Sequence, residues 1–482
     1  MSAEDRTPDL ARLGPEERRR LLEKLMRERG AGPRFHPLSF PQQRLWFLDQ
    51  LEGAATAYHV SQLYHVEGRL SVAALDGAMA RLVRRHETLR TVFVATEGKP
   101  RQAVLPAMPL ALPVVDLGGL PPEAGMETAR WLQRGLVGLS FDLARGPLVR
   151  LLVVRLGAER WQLAVDMHHI ISDVWSVGVL THELGILYAA DRAGRSVELP
   201  PLPIQYGDFA RWQRKLLEGE RLERLLDYWR RHLDGAPPVL ELPTDRPRPA
   251  QPTGRGGVVR FRLAPPLQGA TRSLARSVGG TPFMVLLGAF AALLYRYSGQ
   301  SDLTVGMPIA NRTRSEVEGL IGFFVNTLVL RLDTAGGPGF RDLLARVSAT
   351  TLGAYDHQDL PFERLVEELH PERDLSHHPL FQVLFQLQTA AAEELRLEGL
   401  VLRHEMVDAG RAMFDLLFYL EELAEGGISA TVQFARDLFD DATVERLGRH
   451  FRTLLQAAVE SPDTPVTRLP LLAKAERRQV LV

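Results

Sequence analysis

The stretch WQLAVDMHHIISDVWS, Trp161 to Ser176, changes its periodicity midway. Trp161, Leu163, Val165 and Met167 alternate with other residues, the period-two pattern of an extended strand. Beyond Asp173, the residues Val177, Leu180, Leu184 and Leu187 keep helical spacing until Gly194. Two histidines and an aspartate stand at the junction. Neighbouring side chains on a strand point to opposite faces, so His168 and His169 diverge: either one is packed and the other faces a reaction, or both only fill hydrogen-bonding niches at the strand end. That divergence, with no HExxH spacing, argues against a shared metal. Ser172 or Asp173 taken alone reads as the N-cap of the following helix, worth about 1 kcal/mol. The alternative is a carboxylate that fixes an imidazole tautomer or anchors the loop carrying it. No GxSxG elbow and no P-loop occurs in the chain, and the glycines at 254 and 256 precede a strand, so neither a Ser-His-Asp hydrolase nor a nucleotide site is signalled.

Working outward, Ser39-Phe40-Pro41-Gln42 has the capping-box form and opens a helix through Leu51. Val72 to His86 is helical, with Leu75, Met79 and Leu82 on one face, and the run Thr91 to Thr96 is a strand. Leu148 to Leu156 and Trp161 to His168 read as strands joined by the turn Gly157 to Arg160. Proline-rich stretches near Val197 to Pro203 and from Pro237 to Pro252 are candidate boundaries. Thr281-Pro282 opens a helix to Tyr297, and DLTVGMPIA from Asp302 is a strand. Phe324 to Leu332 is a further strand, Phe340 to Ala354 a helix, and DLPFERLVEEL opens another. PLFQVLFQLQ, MFDLLFYLEE and ISATVQFA are strands, and Thr443 to Val459 is the last helix of the pattern. Alternating strands and helices in both halves predict two α/β sandwiches.

Composition narrows the chemistry. A chain of 482 residues is long for one core, and cores stop growing at roughly 250–300 residues. With 58 Lys+Arg against 59 Asp+Glu there is no whole-chain field for nucleic acid or a membrane surface. The absence of cysteine removes disulfides, thiolate nucleophiles and cysteine-based zinc sites. The charged N-terminus has no apolar signal region, and the most apolar helix, Phe283 to Leu294, is about half the ~20 residues of a bilayer span. These features predict a soluble cytoplasmic protein.

MHHIISDVWS, from Met167, resembles the HHxxxDG motif of condensation domains of nonribosomal peptide synthetases. The other signatures follow in that family's order: LSFPQQRLWFLDQL from Leu38, RHETLRTVF from Arg85, YGDFARW from Tyr206, IGFFVNTLVLR from Ile321, HQDLPFERLV from His357 and RDLSHHPLFQVLFQLQ from Arg373. Seven motifs in order form a specific match, and the first is similar to that of the subclass joining an L-donor to an L-acceptor. Two positions depart: the motif glycine is Val174, and the arginine-asparagine usual before PLFQ is His377-His378. That histidine pair reads as a solvated or packed loop.

The resemblance implies two lobes similar to chloramphenicol acetyltransferase, arranged as a V around a central tunnel. It divides the chain into a linker helix at 1–34, an N-terminal lobe at 35–205, a C-terminal lobe at 206–470 and, at 471–482, the approach to an adenylation domain. It implies peptide-bond formation between substrates on 4'-phosphopantetheine arms, brought by upstream and downstream peptidyl carrier proteins, with no cofactor or metal bound by the domain itself. His169 matches the catalytic position and His168 a mainly structural one. Asp173 matches a residue that pairs with an arginine of the second lobe, for which Arg312 is the candidate. Val174, Trp175, Ser176 and Asn326 are expected to line the tunnel, with a turn or strand-end role the alternative for Asn326. Gln42, Gln43 and Arg44 are expected on a helix surface or between lobes, and Arg85, His86 and Arg90 to tie a helix end to its neighbours. Other readings stay open: an HxxxD acyltransferase with a soluble thioester, an epimerisation domain, or a non-catalytic docking module closed by Val174.

Overall fold

The computed structural model describes residues 32–52, 58–369, 376–389, 395–406 and 410–481. The expected linker helix before residue 32 lies outside them, as does the start of the motif at Arg373. Two sheets carry the architecture. The first orders its strands Val401–Met406, His59–Glu67, Arg160–His168, Val149–Arg155 and Val114–Asp116. The second orders Asn326–Asp333, Asp302–Ile309, Val383–Gln388, Leu416–Glu422, Ile428–Ala435 and Gly256–Leu263. A small sheet of Arg34–Pro37, Lys99–Val104 and Thr91–Thr96 accompanies the first. The chain is thus two α/β lobes.

Both faces of the histidine strand Arg160–His168 are covered. Leu163, Val165 and Met167 enter the first core with Leu75, Met79, Leu82, Leu180 and Leu184 from the helices Val72–Arg85 and Val174–Arg192. On the opposite face Ala164 packs with Ala129 of the helix Pro122–Gly138. The second core surrounds the helix Pro282–Ser298, in which Met284 to Leu294 are all buried. Thr281 caps it by accepting from Met284 N at 3.3 Å, and Gly299 ends it in the left-handed region at φ 74°. No single helix among the described residues is long and apolar enough to cross a membrane.

The sheets do not respect the expected division at 205/206. Val401–Met406, from the second half of the chain, pairs antiparallel with His59–Glu67 and covers an edge that would otherwise present open hydrogen-bonding groups. Leu395 and Leu397, just before it, join the first core, and so does Ile321. The crossing segment is seated closely: a Cβ on Gly185 would lie 2.5 Å from the carbonyl oxygen of Arg396. Gly185→Ala is therefore expected to lift the segment and destabilise the fold by about 1–3 kcal/mol. Amide hydrogen exchange should rise first at Val401–Met406, and unchanged protection there would refute the close seating.

Candidate active site

The histidine strand ends in a single 3-10 turn, His169–Ile171, before the helix Val174–Arg192 begins. Local bonds fix the turn. His168 Nδ1 accepts from Ile170 N at 3.0 Å. Ser172 N donates to the His169 carbonyl at 3.1 Å, and Gln42 Nε2 reaches across from the helix Phe40–Glu52 to the Ile170 carbonyl at 3.0 Å. His168 is buried against His59 and Phe141. Burial pushes its pKa down to about 3, so it is neutral with its proton on Nε2.

His169 turns the other way. Its Nδ1 lies 2.6 Å from the Ser172 carbonyl, which can only accept, so the ring carries its proton there and leaves the Nε2 lone pair free. Burial lowers its pKa, opposed by the Asp173 charge and the bond to Ser172, which keeps the ring neutral near pH 7. Phe323, from the second half of the chain, packs on the imidazole with ring centres 4.6 Å apart at 57°.

Asp173 ties this turn to the second lobe. Its side chain and that of Arg312 are 0% and 1% exposed, with Oδ1 and Nη2 3.1 Å apart. Oδ1 also accepts from Ser176 N at 2.7 Å, which caps the helix, and Oδ2 accepts from Phe324 N at 3.0 Å. Capping and ion pairing are done by one carboxylate. Arg312 Nη1 donates to the carbonyls of Val317 at 2.5 Å and Leu320 at 2.8 Å, and the guanidinium lies 4.0 Å over the Phe324 ring. Its Nε has no hydrogen-bond partner among the described residues.

The four expected tunnel-lining residues separate. Val174 and Trp175 are each 46% exposed at the start of the helix, where side chains can meet a ligand. The valine is compatible with the backbone. Among the described residues only Glu97, Asn311 and Leu380 combine a side chain with positive φ, so no glycine is required at 174. Ser176 does not line an opening: it is fully buried, with Oγ 2.7 Å from Asp173 Oδ1 and 2.8 Å from the Gly322 carbonyl, and it accepts from Arg312 Nη2 at 2.9 Å. Asn326 is likewise committed. Its Nδ2 donates to the carbonyls of Gln358 and Leu360, and its Oδ1 accepts from Thr327 N and Phe362 N, which uses its whole hydrogen-bonding capacity.

Of the flanking motifs, the one from Leu38 reaches the second half of the chain, and in the one from Arg85 the residues Arg85, His86 and Arg90 brace the first lobe internally. Gln43 Oε1 accepts from Arg214, and Arg44 Nη2 lies 3.1 Å from His378 Nε2. His378 is packed against Phe362 and Phe381, and burial pushes its pKa down to about 3. Arg85 and His86 both contact Glu183, and Arg90 bonds the Leu105 carbonyl. Sequence reasoning passed over Glu183 and Phe323, and weighed Ser172 only as a helix cap, a place that Asp173 takes. Phe323 lies inside a quoted motif, where only its apolar character was visible.

A histidine turn clamped between two α/β lobes by a buried Asp-Arg pair places the chain in a class of two-lobed α/β proteins. More particularly, the chain belongs to the condensation-domain family, whose model matches residues 33–481. It is 44% identical over 448 residues to a linear gramicidin synthase protein of Brevibacillus parabrevis, covering 92% of this chain and 9% of that protein. It is 43% identical over 445 residues to a phosphinothricin tripeptide synthetase of Streptomyces viridochromogenes, covering 92% of this chain and 41% of that one. The chain therefore spans less than half of either relative. Among solved structures, the X-domain from teicoplanin biosynthesis matches with a TM-score of 0.82 at 32% identity, covering 90% of this chain and 97% of that one. The four-domain nonribosomal peptide synthetase AB3403, solved with AMP and glycine, shares the fold at a TM-score of 0.82 and 21% identity, with 92% and 34% covered.

Removing one member of the buried pair strands the other. Arg312→Ala is expected to cost about 3–5 kcal/mol in urea unfolding, far above the effect of truncating an exposed arginine such as Arg69. A second measurement concerns acid. His168 has a folded pKa of about 3 against an ordinary 6.5, so between those values the unfolded chain binds the extra proton. Its contribution is present above pH 6.5 and is lost as the pH falls toward 3. His168→Gln should flatten the decline of the urea midpoint between pH 7 and pH 5, and an unchanged slope would contradict a neutral buried ring.

Proposed function

We propose that this domain forms a peptide bond between a donor aminoacyl or peptidyl thioester and the α-amine of an acceptor aminoacyl thioester. Both substrates ride on 4'-phosphopantetheine arms of peptidyl carrier proteins, one upstream and one downstream beside an adenylation domain. The synthetase relatives support this reading, and the first motif favours an L-donor and an L-acceptor. The observation that carries it is the Nδ1–H of His169 fixed on the Ser172 carbonyl, which directs an unprotonated Nε2 away from the turn.

In this scheme the amine attacks the thioester carbonyl as His169 Nε2 takes one of its protons. The C–N bond forms, the C–S bond breaks, and the proton passes to the departing thiolate, so no acyl-enzyme arises. An amine of pKa ~8 attacking a thioester needs modest help. Holding both arms in one passage supplies up to ~7–11 kcal/mol through effective molarity, while a general base adds ~10²–10⁴ in rate.

The test loads donor and acceptor onto carrier proteins and follows the dipeptidyl thioester by mass spectrometry. The native domain should yield it, and His169→Ala should slow it by ~10²–10⁴-fold with folding intact. A covalent acyl-protein trapped during turnover would overturn direct attack. Docking without chemistry is the second reading, favoured by the likeness to an X-domain solved in complex with OxyB and by the side chain that Val174 adds at the helix start. It predicts carrier binding, no product, and gain of product on Val174→Gly.

A further inference from the structure

The segment from Ile321 to Phe324 crosses the histidine turn, and each of its residues is bonded to a side chain from the first 206 residues. Thr88 Oγ1 donates to the Ile321 carbonyl at 2.9 Å. Ser176 Oγ accepts from Gly322 N at 3.0 Å, and Asp173 accepts from Phe324 N. The Tyr206 hydroxyl donates to the Phe323 carbonyl at 2.5 Å. Tyr206 alone among these holds the residue whose ring touches the His169 imidazole.

The phenol is itself fixed. Because its hydrogen goes to a carbonyl, Ser39 Oγ, 2.8 Å away, must be the donor to it. Ser39 Oγ also accepts from Gln42 N at 3.3 Å, and Gln42 Nε2 holds the Ile170 carbonyl one residue beyond His169. Ser39 thus anchors two arms, one ending on the turn that carries the imidazole and one on its packing partner. A capping box that would serve to start a helix is extended into the site.

Packing explains the tyrosine ring but not its hydroxyl. The ring lies against Phe209 and Phe324 at centre distances of 5.5 and 4.9 Å, and over Gly322, where a Cβ would fall 2.0 Å from Tyr206 Cδ2. Phenylalanine would fill the same space. The hydroxyl adds an oriented chain of bonds whose members polarise one another in a dry interior. Burial raises the phenol's pKa, so the donor keeps its proton across the working range.

We propose that Tyr206 is a positioning residue: its hydroxyl, oriented by Ser39, sets the Phe323 backbone so that the Phe323 ring holds the His169 imidazole in its productive orientation. The proposal rests on the role given to His169 above. Misplacement of a reacting group by about 1 Å can cost on the order of 10² in rate. Tyr206→Phe is therefore expected to lower kcat roughly tenfold or more, with KM for the loaded carriers changed less than about twofold.

The test measures Tyr206→Phe, Phe323→Ala and the double variant in the carrier-loaded assay, with thermal unfolding of each. If Tyr206 acts through Phe323, the double variant is no slower than Phe323→Ala alone. Multiplying effects, native kcat in Tyr206→Phe, or a loss that follows the folded fraction would each overturn the proposal. Should Phe323→Ala not fold, Phe323→Leu replaces it. The ring nitrogen NMR signals of His169 are read in parallel, without turnover. A changed His169 signal in Tyr206→Phe supports the positioning chain even if His169→Ala proves fully active and the base reading fails, whereas an unchanged signal overturns it.

Discussion

A carboxylate buried to zero exposure holds the two halves of this chain in register. Asp173 accepts from the first turn of its own helix, from the guanidinium of Arg312 and from the backbone of Phe324, so a single side chain fixes where the histidine turn ends and where the opposite lobe meets it. Burying such a pair is expensive, and an apolar substitute of equal volume is often as stable. An apolar pair would leave Ser176 N and Phe324 N without an acceptor. The gain lies in geometry.

That geometry decides the state of His169. The ring receives its tautomer from Ser172 within its own turn, its neutral form from burial, and its packing from Phe323, whose neighbour Phe324 is bonded to Asp173. The adjacent His168 has the same side chain and an opposite task. It is turned into the lobe, where its Nδ1 supports the backbone of the turn. Two identical residues acquire different chemistry because a strand ends between them.

Periodicity revealed the elements with a clear apolar stripe, such as the histidine strand and the helix after it. It did not reveal the strands His59–Glu67 and Val401–Met406. Both mix charged and polar residues with apolar ones, and their partnership spans more than 300 positions, which no local pattern encodes. At the site, the resemblance to condensation domains put His169, Asp173 and Arg312 in one region, and the structure pairs Asp173 with Arg312. Capping was set against ion pairing for Asp173, although one oxygen can accept both bonds. Ser176 was misread as a lining residue, and for Asn326 lining stood beside the strand-end role it proves to have, because a polar side chain beside a motif looks the same in sequence whether its valences are open or spent. Tyr206 and Phe323 gave only the signal of aromatic bulk.

The strand Val401–Met406 also sets a timetable for synthesis. Its partner His59–Glu67 leaves the ribosome 334 positions earlier, counted from Glu67 to Val401, so at ~5–20 residues per second that edge waits on the order of tens of seconds for its cover. During that interval the nascent first lobe presents an open strand to other chains, and a chaperone able to shield it would act before the second lobe is complete. A first lobe cut from this chain anywhere between these two strands, and given no strand in place of Val401–Met406, would keep that edge bare.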